Sequence, residues 1–152
     1  MKHARVTAVA ATFAVAALVS GIGASSVGAS AGVAALRFYE RPGPTSFVNN
    51  APMGKKAGRG DIVIYANPVF DRQGTQVGTD HGVCTVLSNA QSQCEATIVL
   101  PKGQIVTHGI QSATTNFEVA VIGGTGAYAG ARGTMTARPI KDGGSTLLIS
   151  LL

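Results

Sequence analysis

The chain has 152 residues, a formal net charge of +5 and only 12% charged residues. This length favours one domain, and the scattered basic residues exclude the dense basic surface that is typical of nucleic-acid-binding proteins. The cluster of Lys55, Lys56 and Arg59 lies in a predicted loop, where solvated charges are ordinary. We therefore expect no nucleic-acid partner.

The first 31 residues have the order of a secretory signal peptide. Lys2 and Arg5 precede an apolar run, Val6 to Val19, and small uncharged residues lead to a cleavage site at Ala29-Ser30-Ala31. The run is shorter than a membrane span, which needs about 20 apolar residues, although a retained anchor is the alternative. We expect a secreted domain of residues 32–152 that has no membrane attachment after cleavage.

The segment after the predicted signal is a series of candidate β-strands. It is rich in Val, Ile, Thr and Gly, and turn residues separate its apolar stretches. The eight candidate strands are Val33–Glu40, Asp61–Phe70, Thr75–Leu87, Glu95–Leu100, Gln104–Gln111, Thr115–Ile122, Gly130–Ile140 and Ser145–Leu151. Strands at this spacing indicate a sandwich or a barrel of antiparallel hairpins, and closure removes unpaired edges. We predict an all-β fold, an eight-stranded antiparallel β-barrel of the calycin type, with the irregular stretch 41–60 crossing one mouth.

The two cysteines, Cys84 and Cys94, flank the predicted hairpin turn Ser88–Gln91. They therefore lie roughly opposite each other on neighbouring strands, where side chains come within bridging distance. An even number of cysteines in an exported protein favours a disulfide. Two reduced, buried thiols are the alternative.

A glycine cluster near the end of the chain raises the question of a nucleotide cofactor. Gly124-x-Gly126-x-x-Ala129 fits the looser form of the dinucleotide-binding fingerprint, which requires a helix directly after it. The residues that follow, "ARGTMTARP", alternate like a strand instead. We therefore predict a hairpin turn here and no dinucleotide cofactor.

Histidines and acidic residues raise the questions of a metal site and of a catalytic triad. His81 and His108, with Asp80 nearby, are residue types that bind zinc, but their spacing forms no recognised ligand set. Histidines on a strand surface are the simpler interpretation. The aspartates available to a triad, Asp61, Asp71 and Asp80, each fit a turn or the start of a strand. We predict no metal site and no triad.

Three blocks in the same order carry a family resemblance: "GRGDIVIYANPVFDRQGTQVGTDHGVC", "GQIVTHG" and "VAVIGGTGAYAGARG". Together they resemble the bacterial branch of the allene oxide cyclase barrel family, and the last block also resembles dirigent proteins, which share that barrel. The resemblance implies an eight-stranded barrel that encloses a small hydrophobic or phenolic molecule. It also implies action without metal or organic cofactor and, from the plant cyclases, a homotrimer.

The same resemblance implies site residues. Tyr39-Glu40 matches a Tyr-Glu pair whose glutamate delocalises charge in the substrate, while Asn67 and Cys84 match an asparagine and a cysteine of the same cavity. We take Glu40 and Asn67 as candidate catalytic residues. The alternatives are a solvated Glu40 at the barrel rim and an Asn67 that serves the turn before Pro68.

Four further residues are candidate ligand contacts. Val63 and Tyr65 share a strand face with Asn67, because side chains alternate along a strand, although Tyr65 also fits a plain core position. Phe38 stands where the resemblance begins, and Arg132 matches an arginine in the dirigent turn. The aspartate expected on the first strand of dirigent proteins has no clear match.

One departure from the plant cyclases limits what the resemblance implies about activity. Pro42 replaces the asparagine that holds a water in those enzymes, so their reaction does not transfer to this chain. Three interpretations follow: a cofactor-free isomerase or cyclase, a non-catalytic dirigent-like or lipocalin-like binding protein, and a structural barrel filled by its own side chains. A cavity below about 300 Å³ would favour the filled barrel.

Overall fold

The computed structural model describes residues 34–48, 58–112 and 114–152. The described residues form nine strands: β1 (Ala34–Glu40), β2 (Thr45–Val48), β3 (Ile62–Phe70), β4 (Gln76–Val86), β5 (Gln91–Leu100), β6 (Gly103–Ser112), β7 (Phe117–Gly124), β8 (Gly133–Pro139) and β9 (Ser145–Leu151). They belong to one compact unit, Ala31–Leu152. The predicted signal peptide lies outside the described residues, and no helix within them is long and apolar enough to cross a membrane.

The strands form one antiparallel sheet that closes on itself. Each strand from β3 to β8 pairs with the next strand along the chain, β9 pairs with β1, and β1 pairs with β3 through Tyr39–Phe70 and Glu40–Val69. This arrangement confirms the predicted eight-stranded antiparallel barrel. The sequence interpretation did not foresee β2, a short strand outside the barrel that pairs with β3 within the stretch predicted to be irregular.

Alternation of side chains decides what faces the barrel interior. Along β4, Asp80, Gly82, Cys84 and Val86 are buried while the alternate residues 81, 83 and 85 are exposed, and buried residues also alternate along β5. One end of the barrel is filled by apolar side chains, among them Val69, Ile98, Ile105, Val121 and Ile149. The interior residues at the other end, where β1, β6 and β8 finish, include several polar side chains. This end holds the cavity.

Candidate functional site

The cavity at the polar end of the barrel has a volume of about 330 Å³. Glu40, Tyr65, Asn67, Asp80 and Gln111 contribute polar side chains to its wall. A smaller recess of about 230 Å³ beside it shares Glu40, Tyr65 and Asn67 and extends to the loop after β1. Ligand pockets begin at about 300 Å³, so this barrel has room for a small ligand and is not filled by its own side chains.

Glu40 and Asn67 form the hydrogen-bonded pair at the centre of this wall. The Asn67 Nδ2 donates to Glu40 Oε1 over 2.5 Å, although 27 residues separate the two in sequence. Both side chains face the interior because they share the inward face of their strands with Phe38 and Val69, which pack in the core. Burial raises the pKa of the Glu40 carboxyl, and the hydrogen bond from Asn67 opposes that rise. Glu40 is therefore a cavity carboxyl.

A bend between β1 and β2 fixes the orientation of the Asn67 amide. The Gly43 N–H donates to Asn67 Oδ1 over 2.9 Å, so the amide nitrogen is left to face Glu40. Gly43 approaches β3 so closely that a Cβ on it would stand 2.0 Å from the Ala66 carbonyl oxygen. The glycine is thus required at this bend, and the Asn67 side chain links the bend to the cavity.

Pro68 is compatible with the interior of β3 because of the same bend. The Pro68 carbonyl accepts a hydrogen bond from the Arg41 N–H. The Pro68 nitrogen, which has no hydrogen to donate, faces the same bend, where the regular strand pairing is interrupted. The Arg41 guanidinium lies 4.7 Å from the centre of the Phe70 ring. The sequence alternative for Asn67 was a role in a turn before Pro68. The structure has a bend between β1 and β2 at this place instead, and Asn67 contacts both this bend and the cavity.

Asp80 and Tyr65 form a second polar group deeper in the cavity. The Tyr65 hydroxyl interacts with the Asp80 carboxyl and with Gln111. Asp80 is only 3% exposed, and burial together with the charge of Glu40 raises its pKa to about 7, against a lowering by Tyr65. Burial is also the main reason why the pKa of Tyr65 rises, with the charges of Asp80 and Glu40 adding to it. Two carboxyls with raised pKa values thus face one small space.

The ring of Tyr65 reaches this position because its neighbour across the ladder is a glycine. Tyr65 pairs with Gly82 on β4, and a Cβ on Gly82 would lie 2.2 Å from the ring. The tyrosine therefore lies flat over the inward face of β4 beside Asp80. Its hydroxyl lines the cavity, which the core interpretation of Tyr65 did not include.

The opposite wall of the cavity is apolar. Phe117, Met135 and Leu147 contribute to it from β7, β8 and β9. Lys141, in the turn between β8 and β9, is exposed and stands at the mouth. A cavity with one polar and one apolar wall suits a small molecule that is largely apolar and carries a polar group on one side.

The other predicted ligand contacts lie apart from the main cavity. Val63 lines the smaller recess, and Phe38 packs against the core. Arg132 lies at the opposite end of β8, where its guanidinium donates to the carbonyls of Ile122 and Ala131. Arg132 is not among the residues that line this cavity, because the turn before β8 is at the filled end of the barrel, and its role as a ligand contact stays a prediction.

Cys84 and Cys94 form the predicted disulfide, directly opposite each other on β4 and β5. Both are buried on the inward face. The bond confirms the pairing inferred from the hairpin. It also means that Cys84 does not provide a free thiol to the cavity, unlike the cysteine that the resemblance implied.

His81 and His108 lie on the outer surface of the barrel. His81 and His108 are exposed, and His108 Nε2 lies 2.7 Å from the side-chain nitrogen of Gln93. Across the described part of the chain, His, Cys, Asp and Glu form no group of three or more that could hold a metal ion.

Sequence reasoning missed Asp80 and Gln111 as cavity residues. Asp80 was assigned to a turn or the start of a strand, but it lies within β4 and shares its inward face with Cys84. Positions 80 and 84 are an even number of residues apart, so on one strand their side chains face the same side. Because Cys84 was already expected to face inward, this spacing could have placed Asp80 in the cavity. Gln111 lies at the end of β6, where parity alone does not show whether a residue still faces the interior.

A closed antiparallel barrel with a mixed polar and apolar cavity at one end defines the class of small-molecule-binding β-barrels. The model of the family described as allene oxide cyclase barrel like domain matches residues 45–150, and the chain belongs to this family. No curated protein sequence matches the chain closely enough to be counted as a relative.

Solved structures of several activities share the fold. A pyocyanin demethylase superposes with a TM-score of 0.68 at 24% identity, covering 78% of this chain and 100% of that one. A pterocarpan synthase dirigent protein gives 0.64 at 23% identity over 78% and 92% of the two chains. A Diels–Alderase from Streptomyces koyangensis gives 0.59 at 18% identity over 81% and 70%. At these identities the likeness concerns the fold, and the activities in these names belong to those proteins.

Proposed function

We propose that this chain binds a small hydrophobic or phenolic molecule in the barrel cavity and isomerises or cyclises it without a cofactor. The observation that carries the proposal is the buried Glu40 carboxyl, which faces the cavity and accepts a hydrogen bond from Asn67. Folds of this family recur in proteins whose names describe a demethylase, a dirigent synthase and a cyclase. A barrel that positions one small molecule against a carboxyl is a feature that such activities can share.

Glu40 is the group that would move or stabilise a proton. A carboxyl whose pKa is raised by burial is closer to the working pH, where it exchanges protons with a substrate more effectively. Asn67 acts as a positioning residue, since its amide holds one carboxyl oxygen and leaves the other for the substrate. The cavity itself contributes by holding the substrate in a reactive conformation.

A non-catalytic binding protein of the dirigent or lipocalin type is the second candidate. The observation that favours it is the departure at Pro42, which stands where the plant cyclases have a water-binding asparagine. In that case the same cavity would store or orient a molecule, and Glu40 would contribute a hydrogen bond only.

We also propose that the protein is secreted and works outside the cell as a trimer, on the basis of the signal-like order of residues 1–31 and the family resemblance. The disulfide is consistent with an oxidising compartment.

Native mass spectrometry of the protein purified from the culture medium of its own organism tests both candidates. A co-purifying small molecule would identify the ligand class, and incubation of the emptied protein with it would show turnover or its absence. A protein recovered from the medium without residues 1–31 supports secretion. Failure of the emptied protein to bind any molecule from the medium would contradict both candidates.

A further inference from the structure

The cavity contains a buried carboxyl oxygen that nothing in the described chain satisfies. Asp80 Oδ1 has no hydrogen-bond partner, although Asp80 is only 3% exposed and lines the cavity. Buried polar atoms are nearly always hydrogen-bonded to protein or to ordered water, and an unsatisfied buried acceptor is unfavourable, more so when the group is charged. An acceptor without a partner on a residue that lines a cavity is therefore a place where a ligand can donate a hydrogen bond.

We propose that Asp80 anchors the ligand by accepting a hydrogen bond from its O–H or N–H group. This inference rests on the proposed function, since it assigns a ligand class to the same cavity. It goes beyond the family resemblance, which points to Glu40, Asn67 and Cys84 and not to Asp80.

The position of Asp80 supports an anchoring role. Tyr65 lies against the carboxyl and, with Gly82 beneath its ring, holds it in place. Among the described residues, Asp80 Oδ1 is a buried acceptor without a partner, and it shares this wall with the Glu40 carboxyl, of which Asn67 binds Oε1. A ligand that places its apolar body against Phe117 and Met135 would present its polar group to the opposite wall, where Asp80 stands.

The charges around the cavity define which ligands fit. The titratable groups that share it with Asp80 are Glu40 on β1, Tyr65 on β3 and Lys141 at the mouth. Of the basic residues that the structure describes, only Lys141 lines the cavity, and it is exposed. A ligand carboxylate would therefore meet two acidic side chains in a small desolvated space, and like charges there repel strongly. Phenols, alcohols and amines are accepted, and carboxylates are rejected.

Four aromatic probes of similar size test the inference: 4-methylphenol, its methyl ether 4-methylanisole, 4-methylbenzylamine and 4-methylbenzoate. Binding to the ligand-free chain is measured by NMR titration at about pH 8.5, where a carboxyl with a pKa near 7 is ionised. We expect the phenol and the amine to bind at least about 10-fold more tightly than the ether, the size of one charge-assisted hydrogen bond. The benzoate should not bind measurably.

Two substitutions assign the effect to Asp80. Asp80→Leu removes the acceptor and should abolish the preference of the phenol over the ether. Asp80→Asn keeps a carbonyl acceptor but removes the charge, so it should retain part of that preference for the phenol and bind the cationic amine more weakly than the wild type does. Asp142→Asn, an exposed acid in the turn at the mouth, is the matched control and should change neither. Melting temperatures confirm that each variant is folded.

Specific outcomes overturn the inference. Equal affinity of the wild-type chain for the phenol and the ether, absence of phenol binding, or an unchanged preference in Asp80→Leu would each contradict it. Tight binding of the ether alone would contradict the anchoring role and still leave a cavity that binds small molecules. The two proposals therefore fail on different results.

Discussion

The Asn67 side chain bridges the Gly43 backbone N–H and the Glu40 carboxyl, so one amide connects a bend of the chain to a cavity residue. Asn67 Oδ1 faces the bend and Nδ2 faces the carboxyl. The geometry of the candidate site thus depends on a loop that follows directly after the first strand. Five predictions follow from this connection and from the other contacts of the cavity.

Replacement of the Glu40 carboxyl by an amide should strongly lower the rate of turnover and leave the fold intact. We expect Glu40→Gln to lower kcat about 10²–10⁴-fold, the contribution of a general acid or base, because the amide cannot exchange a proton. The measurement is single-turnover kinetics with the molecule identified by mass spectrometry. Glu95→Gln, on the exposed face of β5, is the control and should keep full activity. Unchanged turnover in Glu40→Gln would remove Glu40 from the mechanism.

Truncation of Asn67 should destabilise the fold as well as the site. In Asn67→Ala the Gly43 N–H and the Glu40 carboxyl both lose a partner, and we expect a loss of about 1–3 kcal/mol in the free energy of unfolding. The pKa of Glu40 should rise further, since the Asn67 hydrogen bond lowers it. Urea unfolding and NMR titration measure the two effects. Asn116→Ala, at an exposed position, should change stability by less than about 0.5 kcal/mol.

Stability should fall as the pH rises from about 4 to about 7. Burial raises the pKa of Asp80 to about 7 in the folded chain, so over this range the folded state binds more protons than the unfolded state. The contribution of Asp80 to the free energy of unfolding is therefore largest at low pH. It is lost as the pH rises to the pKa of Asp80 in the folded chain, and the loss amounts to up to about 4 kcal/mol. Glu40 acts in the same direction.

Urea unfolding of the ligand-free protein across this pH range checks the expectation. The isosteric Asp80→Asn variant cannot titrate at this position, so its stability should vary less with pH than that of the wild type. A wild-type protein that becomes more stable between pH 4 and 7 would contradict the assignment of a raised pKa.

A methyl group on Gly82 should displace Tyr65. The Cβ of Gly82→Ala would stand 2.2 Å from the tyrosine ring, which has to move away from Asp80. We expect a loss of about 1–3 kcal/mol from overpacking, together with weaker binding of phenolic probes. Gly123→Ala is the matched control, because its Cβ would come no nearer than 4.0 Å to any atom outside its own neighbours. Equal stability of the two variants would argue against the tight Tyr65 packing.

The disulfide should contribute measurably to stability. It closes a loop with a sequence separation of 10, and its restriction of the unfolded chain corresponds to about 2–3 kcal/mol. We expect the Cys84→Ala, Cys94→Ala double variant to unfold at a lower urea concentration, with a free energy of unfolding that is smaller by this amount. A reducing agent should destabilise the wild type and leave the double variant unchanged. Mass spectrometry of the wild type with a thiol reagent should detect no free cysteine.

The barrel was predictable from sequence because each hairpin can be recognised locally, from its turn residues and from the alternation of side chains along its strands. The strand β2 was not, since Pro42, Gly43 and Pro44 before it are typical of loops and its side chains are exposed. Its pairing with β3 depends on a contact between distant segments. Long-range contacts of this kind leave no periodic pattern.

The candidate site was predictable only in part. Glu40 and Asn67 were identified through the family resemblance, and the structure brings them together. Asp80 belongs to the same cavity, but its role depends on Tyr65 and Glu40 approaching from other strands, which no local pattern records. The position of Arg132 was not predictable for the converse reason: its motif is local, while the end of the barrel at which it lies is a property of the whole topology.

The double use of Asn67 has a consequence for how this barrel can change over evolutionary time. A chain that replaces Asn67 to alter its chemistry also removes the acceptor for the Gly43 N–H, and must straighten the bend or supply a new acceptor. The bend between β1 and β2 and the Glu40 carboxyl are therefore expected to vary together among relatives. Asp80 lies on β4 and is not part of this link, so the cavity wall around it can vary while the closure of the barrel is kept.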